Sequence, residues 1–298
     1  MYPILFKYKA LEISSYGFML MIAFLVCNYL LRRYMVQINE NPKRADDIIF
    51  FAAIGGILGS KIYYIIEQII VYADYSNIYG FINIFKGMFY FDLQLIFSGI
   101  TAFGSGLVFL GGLIGGMLSV TIYVRKNDLS WLCVGDWVAP YLILGHAIGR
   151  IGCFLVGDCY GKPCALPWAV TFKNGLPPST YSSFQYNYPE IFNQPSFQSL
   201  YSFTNKMVYV HPTQLYESLV YLLIFFYLIK IRRNKSYEGI VFFEYLFLAG
   251  ISRFIIEFIR LNPKYIFNLS GAQFISLIMI VASSFFMYIY RKQSNREI

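Results

Sequence analysis

Seven long apolar runs constrain this chain more than any other feature. They cover 13–31, 48–72, 102–124, 131–155, 212–229, 240–259 and 269–290, each close to the roughly 20 residues a helix needs to cross the hydrocarbon core of a bilayer. The first, third and last contain no charged residue. A chain in lipid must satisfy its backbone polar groups internally, which leaves helices or a closed barrel. Barrel strands alternate apolar and polar residues over about ten positions, whereas these runs are continuously apolar. The expected fold is therefore an all-α integral membrane protein, a seven-helix bundle forming one membrane domain over residues 1–298. Composition agrees: 57% of residues are hydrophobic and 13% charged, against about 25% charged in soluble domains. The first run is preceded only by Lys7 and Lys9 and lacks a small-residue cleavage site, so it reads as an anchor and not a signal peptide.

The net charge of +8 does not read as a nucleic-acid footprint, because the basic residues sit in short clusters between apolar runs. Split by flank, 32–47, 125–128, 230–238 and 291–298 hold 13 Lys and Arg in 37 positions, while 1–13, 71–98, 158–210 and 260–268 hold 8 in 103. The dense set is expected on the cytoplasmic side, with the N-terminus outside and the C-terminus inside. The 53-residue stretch 158–210, punctuated by Pro163, Pro167, Pro177, Pro178, Pro189 and Pro195, is then an outward-facing head insert with little regular helix.

Ionisable groups within spans are costly and mark candidate sites. At a rise of about 1.5 Å per residue, Arg150, Glu217, Arg253 and Glu257 all fall within about 10 Å of the outer interface. Arg253 and Glu257 share a helix face, with Arg260 another turn on. Two or three guanidinium groups, two carboxylates and a histidine suit a phosphate-bearing headgroup; the alternative is an ion-pair network that only ties helices together. Lys61 either lines the site or snorkels. His146, one turn before Arg150, either contacts the same pocket or is a packing residue. Asp136 and Glu244 read as solvated or capping, and the runs Gly55-Gly56-x-x-Gly59-Ser60 and Gly111-Gly112-x-x-Gly115-Gly116 as close helix packing. Cys27 and Cys133 read as structural. Cys153, Cys159 and Cys164 are spaced by six and five, which is not the zinc pattern, so neither a metal nor a cofactor is expected. Cys159 and Cys164 form either a disulfide or free thiols.

Three segments then carry a resemblance. Gly149-Arg150-Ile151-Gly152-Cys153-Phe154, continuing through Gly157-Asp158-Cys159-Tyr160-Gly161, resembles the signature of the prolipoprotein diacylglyceryl transferase family. His211-Pro212-Thr213-Gln214-Leu215-Tyr216-Glu217 is similar to its HP-S/T-QLYE motif, and Arg253 to Arg260 to its R-x-x-x-E-F-x-R helix. Tyr16-Gly17, Asp136-x-x-Ala139-Pro140 and Gln273 add support. The resemblance implies an enzyme of the bacterial inner membrane that moves a diacylglyceryl group from phosphatidylglycerol to the lipobox cysteine of an exported prolipoprotein, releasing glycerol phosphate. It implies that Arg150 and Arg253 bind phosphate, that Glu217 and Glu257 orient those arginines, and that Tyr16 and Gly161 shape the lipid pocket. Asp158 and His211 join the catalytic set; Lys61, Gln214, Arg260 and Cys153 join the substrate-binding set. The expected partners are phosphatidylglycerol, the prolipoprotein signal peptide and membrane lipids.

The chain departs from the family pattern at four positions. A histidine expected as base for the thiol is Leu110, the signature asparagine is Cys153, its glutamate is Asp158, and a tyrosine before the helix-six arginine is Ala249. His211, or less favourably His146, is available as the missing base. A paralogue with another acceptor and an inactive phospholipid-binding subunit remain as alternatives. A transporter fits poorly, because no paired halves are visible, and a chromophore-bearing seven-helix protein fits poorly because the seventh span has no lysine.

Overall fold

The computed structural model describes residues 3–8, 11–104, 106, 108–195, 197, 207–234 and 236–294. These divide into two compact units, one of residues 1–31 and 132–298, the other of residues 32–131. Among the described residues, five helices have the length and apolar character to cross a membrane: α1 (Ser15–Gln37), α2 (Lys43–Tyr72), α6 (Trp131–Val156), α9 (Thr213–Ile231) and α11 (Gly271–Ser294), the last over Gly271–Lys292. Two further 18-residue helices, α5 (Phe109–Lys126) and α10 (Ile240–Glu257), lie where spans were expected. Both are shortened or loaded with charge: α5 ends in Arg125 and Lys126, and α10 carries Glu244, Arg253 and Glu257.

The smaller unit departs from expectation between 71 and 108. That stretch, read as a loop followed by the start of a span, forms a helical hairpin, α3 (Ser76–Tyr90) and α4 (Leu93–Gly104). Local capping explains it. Ala73 and Phe91 adopt the left-handed conformation that ends a helix. Asp74 Oδ1 then accepts from Ser76 N at 2.8 Å, and Asp92 Oδ1 from Gln94 N at 2.9 Å, starting the next helix each time. Gly80, Gly87 and Gly99 let the two helices touch backbone to backbone; a Cβ on Gly99 would lie 2.7 Å from the Gly80 carbonyl oxygen.

In the same unit the two glycine runs do what their spacing requires. Gly55 and Gly59 of α2 face Gly111 and Gly115 of α5, and a Cβ on Gly59 would lie 2.8 Å from the Gly115 Cα. Gly56 is one position off the contact, its nearest neighbour being the Gly112 carbonyl at 3.7 Å.

The larger unit is built on α6, α9 and α10. Ala139, Ile143 and Ala147 of α6 pack with Tyr221, Ile224 and Leu228 of α9 and Val241, Tyr245 and Ala249 of α10. The buried Asp136 fastens the far end: its carboxylate accepts from Gly239 N at 2.9 Å and Phe242 N at 3.1 Å, capping α10. Of the readings offered for Asp136, capping holds and solvation does not. Gly250 brings α10 against Ser276 and Ile280 of α11. At the N-terminus, β1 (Ile4–Tyr8) and β2 (Leu11–Ser14) form an antiparallel hairpin that the apolar pattern did not announce.

The described part of 158–210 is ordered around an aromatic core of Tyr160, Phe172, Phe184, Phe197, Val208 and Val210. It contains α7 (Tyr181–Asn187), N-capped by Thr180, and the single turn α8 (Pro189–Phe192).

Replacing Gly59 with leucine should force α2 and α5 apart and cost at least about 1–3 kcal/mol, whereas Gly56→Ala should stay within about 0.5 kcal/mol. Thermal unfolding in detergent checks this; equal midpoints for the two variants would remove the close-packing assignment.

Candidate active site

Glu217 lies one turn into α9 and is 1% exposed. A carboxylate taken out of water must be fully paired, and three arginines do this. Arg150 of α6 reaches Glu217 Oε2 through Nε. Arg253 of α10 donates from Nη1 to Oε1 at 2.6 Å, and Arg260 lies 3.6 Å from the same oxygen. Arg253 is also bound through Nη2 to Glu257 Oε2 at 2.8 Å, the i,i+4 pair its spacing implies. The side chains of Arg150 and Arg253 retain 21% and 22% exposure. Glu217 pairs with both, and each side chain stays partly accessible.

Glu257 is held in turn. Its Oε1 accepts from Asn262 Nδ2 at 2.6 Å and from Ser270 Oγ at 2.8 Å, and Gln273 Oε1 accepts from Ser270 N at 2.9 Å at the start of α11. Sequence reading missed Asn262 and Ser270; nothing in their local pattern announces them, because they come within reach of Glu257 only when the chain returns from α10 to α11. Arg260 is buried, yet its Nε stands 3.8 Å from Glu257 and its Nη1 3.6 Å from Glu217, both too long for hydrogen bonds. Neither nitrogen has another hydrogen-bond acceptor.

The segment after α6 closes onto this cluster. Gly157 has φ +77°, where a Cβ would lie 2.8 Å from the Phe172 ring, and Cys159 has φ +58°. The resulting turn brings Cys153, Asp158 and Cys159 together, their ligand-type atoms all within 4.8 Å of one another. The adjoining Cys153 thiol, with Arg260 and Arg150 nearby, pulls the Cys159 thiol well below the ordinary thiol range. Burial and the Cys159 charge push the Asp158 carboxyl up to about 6. These ligand types are those of a soft divalent cation, but the guanidinium groups already supply the positive charge at this place. Gln214 Nε2 donates to the Asp158 carbonyl and Thr213 Oγ1 to the Cys159 carbonyl at 2.8 Å. Gly161 bridges to Arg260 with no room for a side chain, since a Cβ would meet His211 and the Ile259 carbonyl at 2.9 Å. Tyr16 of α1 packs on Gly152, and Cys153, Arg150, Asp158 and Cys159 are within its electrostatic reach.

Thus Tyr16, Arg150, Cys153, Asp158, Gly161, Gln214, Glu217, Arg253, Glu257 and Arg260 converge. His211 turns elsewhere: its Nδ1 is 3.4 Å from the Tyr216 hydroxyl, which also accepts from Trp168 Nε1 at 2.7 Å. Partial burial holds its pKa below the usual imidazole range. His146 is packed between the rings of Tyr221 and Tyr245. Lys61 belongs to the other unit, where its ammonium binds Asn77 Oδ1 at 2.7 Å and the Phe103 carbonyl. No disulfide joins Cys159 to Cys164 in this structure.

The family profile described as prolipoprotein diacylglyceryl transferase matches residues 3–289. This chain belongs to that family. A phosphatidylglycerol--prolipoprotein diacylglyceryl transferase of Clostridium tetani is 33% identical over 296 residues, covering 98% of this chain and 100% of the relative. Proteins of the same name from Fusobacterium nucleatum and Thermotoga maritima are each 28% identical, covering 100% and 93% of this chain and 100% and 80% of the relatives. As a diacylglyceryl transferase family member it is a multi-pass membrane protein. Two of its departures from the family pattern, Cys153 and Asp158, stand side by side at the arginine cluster.

Removing the Glu217 carboxylate leaves three cations without their shared partner. Glu217→Ala should lower stability by about 3–5 kcal/mol, and Ser270→Ala by about 1–2 kcal/mol, read as thermal midpoints in detergent. A Glu217→Ala midpoint equal to wild type would mean the cluster does not hold the helices together.

Proposed function

We propose that this chain transfers the diacylglyceryl group of phosphatidylglycerol to the thiol of a lipobox cysteine in an exported prolipoprotein, releasing glycerol phosphate. The observation that carries the reading is Glu217 gripping Arg150 and Arg253 together while each arginine side chain stays partly accessible. Two planar cations with their backs fixed form a phosphate clamp that needs no rearrangement as charge develops. Arg260, with Nε and Nη1 lacking hydrogen-bond acceptors, offers further donors to phosphate oxygens.

In the reaction, the acceptor thiol loses its proton and the sulfur attacks the glycerol carbon that carries the phosphate. The carbon–oxygen bond breaks, and its electron pair leaves on the phosphate oxygen, where the arginines offset the charge. The position left without a histidine at Leu110 raises the question of the proton acceptor. Asp158 is better placed for this than His211 or His146, because it sits with the arginine cluster and its carboxyl titrates near 6. Tyr16 and Gly161 border the lipid, and Gln214 fixes the Asp158 backbone. In this reading the site opens near the outer face of the bacterial inner membrane, with the N-terminus outside, the C-terminus cytoplasmic, and the 158–210 insert guiding the signal peptide.

Arg150→Ala and Arg253→Ala should each abolish transfer of labelled diacylglycerol from phosphatidylglycerol to a lipobox peptide; full activity in both would refute the clamp. Since the Asp158 pKa is raised, its base form is lost as the pH falls through about 6. kcat/KM should fall in that range, and Asp158→Asn should lose this limb with a drop of about 10²–10⁴-fold. An unchanged profile in the variant would assign the base elsewhere.

A further inference from the structure

Two residues at which this chain carries sulfur, Cys153 and Cys159, are brought together by the turn after α6. The amides of Gly157 and Asp158 both bond to the Cys153 carbonyl, at 2.9 and 3.2 Å. The left-handed Cys159 then brings its thiol close to that of Cys153. Both sulfurs and the Asp158 carboxylate lie within one 4.8 Å group. Cys159 is partly exposed, while Cys153 is buried behind it. The positive charges of Arg260 and Arg150 favour the Cys159 thiolate. The thiolate is thereby favoured far below the ordinary thiol midpoint of about 8.5, the environment of a reactive cysteine with a second thiol poised to resolve it. Cys164 stands apart on the run that pairs with residues 207–210, its amide on the Tyr209 carbonyl at 3.0 Å.

We propose that Cys153 and Cys159 are a reactive dithiol which low-molecular-weight disulfides oxidise to an intramolecular disulfide, and that this modification switches off the arginine site. The Cys159 thiolate attacks one sulfur of the oxidant disulfide, forming a mixed disulfide and expelling one thiolate. Cys153 then gives up its proton and attacks the Cys159 sulfur. The Cys153–Cys159 bond forms and the second thiol departs. The protein loses two electrons and two protons, which the oxidant gains as two thiols.

Two effects on the site follow. Oxidation removes the anion that faces Arg260 and Arg150. It also draws two sulfurs to the bonded distance of about 2.05 Å, moving the segment that holds Asp158 and, three residues on, the Gly161 bridge to Arg260. The loss of transfer rests on the function proposed above; the thiol chemistry does not.

The test treats full-length protein in detergent with oxidised glutathione and maps the tryptic peptide 151–173, which contains Cys153, Cys159 and Cys164. The peptide should become lighter by two hydrogen atoms in wild type and in Cys164→Ser. Cys153→Ser should instead hold a stable glutathione adduct on Cys159. Diacylglyceryl transfer should fall by about 100-fold on oxidation, as for a misplaced site, and return with dithiothreitol. A bond mapped to Cys159–Cys164, or thiols that stay free under oxidant that modifies an ordinary thiol, overturns the dithiol. A Cys153–Cys159 bond with undiminished transfer overturns the switch. If untreated protein shows no transfer, the fault lies in the functional reading, and the peptide masses still decide the dithiol.

Discussion

One buried carboxylate organises the larger unit of this protein. Glu217 sits where desolvation of a lone charge would be prohibitive, and its negative charge is tolerable only because Arg150, Arg253 and Arg260 approach it from α6, α10 and the segment just after α10. The same contact that fastens three parts of the chain also fixes the arginines. In the proposed function, one set of charges therefore serves both bundle integrity and phosphate binding.

The second tier shows how far the orientation is controlled. Glu257 fixes Arg253, while Asn262 and Ser270 fix Glu257 and Gln273 fixes Ser270. Arg253 is ion-paired to both Glu217 and Glu257, so its guanidinium is held from two sides. On the other side, the Gly157 turn presents Asp158 with the two thiols. A clamp for the leaving phosphate thus adjoins groups able to accept a proton, as alkyl transfer to a thiol requires.

Much of this was legible in the amino-acid order. Intramembrane charges are so costly that Arg150, Glu217, Arg253 and Glu257 had to find one another, and the i,i+4 spacing of Arg253 and Glu257 placed them on one face. The glycine runs of α2 and α5 were equally readable, because only close packing makes use of glycine at every fourth position. The helical hairpin 76–104 was hidden because its start signals are the local caps at Asp74 and Asp92, overshadowed by a hydropathy pattern that continues through them. Asn262 and Ser270 were hidden because their partner comes from chain reversal and not from spacing. The meeting of Cys153 with Cys159 depends on two left-handed residues, Gly157 and Cys159, and only the first is of a type that announces such a conformation. His211, adjacent in sequence to Gln214 and Glu217, is drawn instead to Tyr216.

The central claim is that the arginine cluster holds the departing phosphate while an acceptor thiol takes the diacylglyceryl group. Mass spectrometry of both products, after mixing the purified protein with phosphatidylglycerol and a lipobox peptide, tests it most directly. The account predicts a thioether-linked diacylglyceryl peptide and glycerol phosphate in equal amounts. Glycerol phosphate released while the peptide stays unmodified would contradict it.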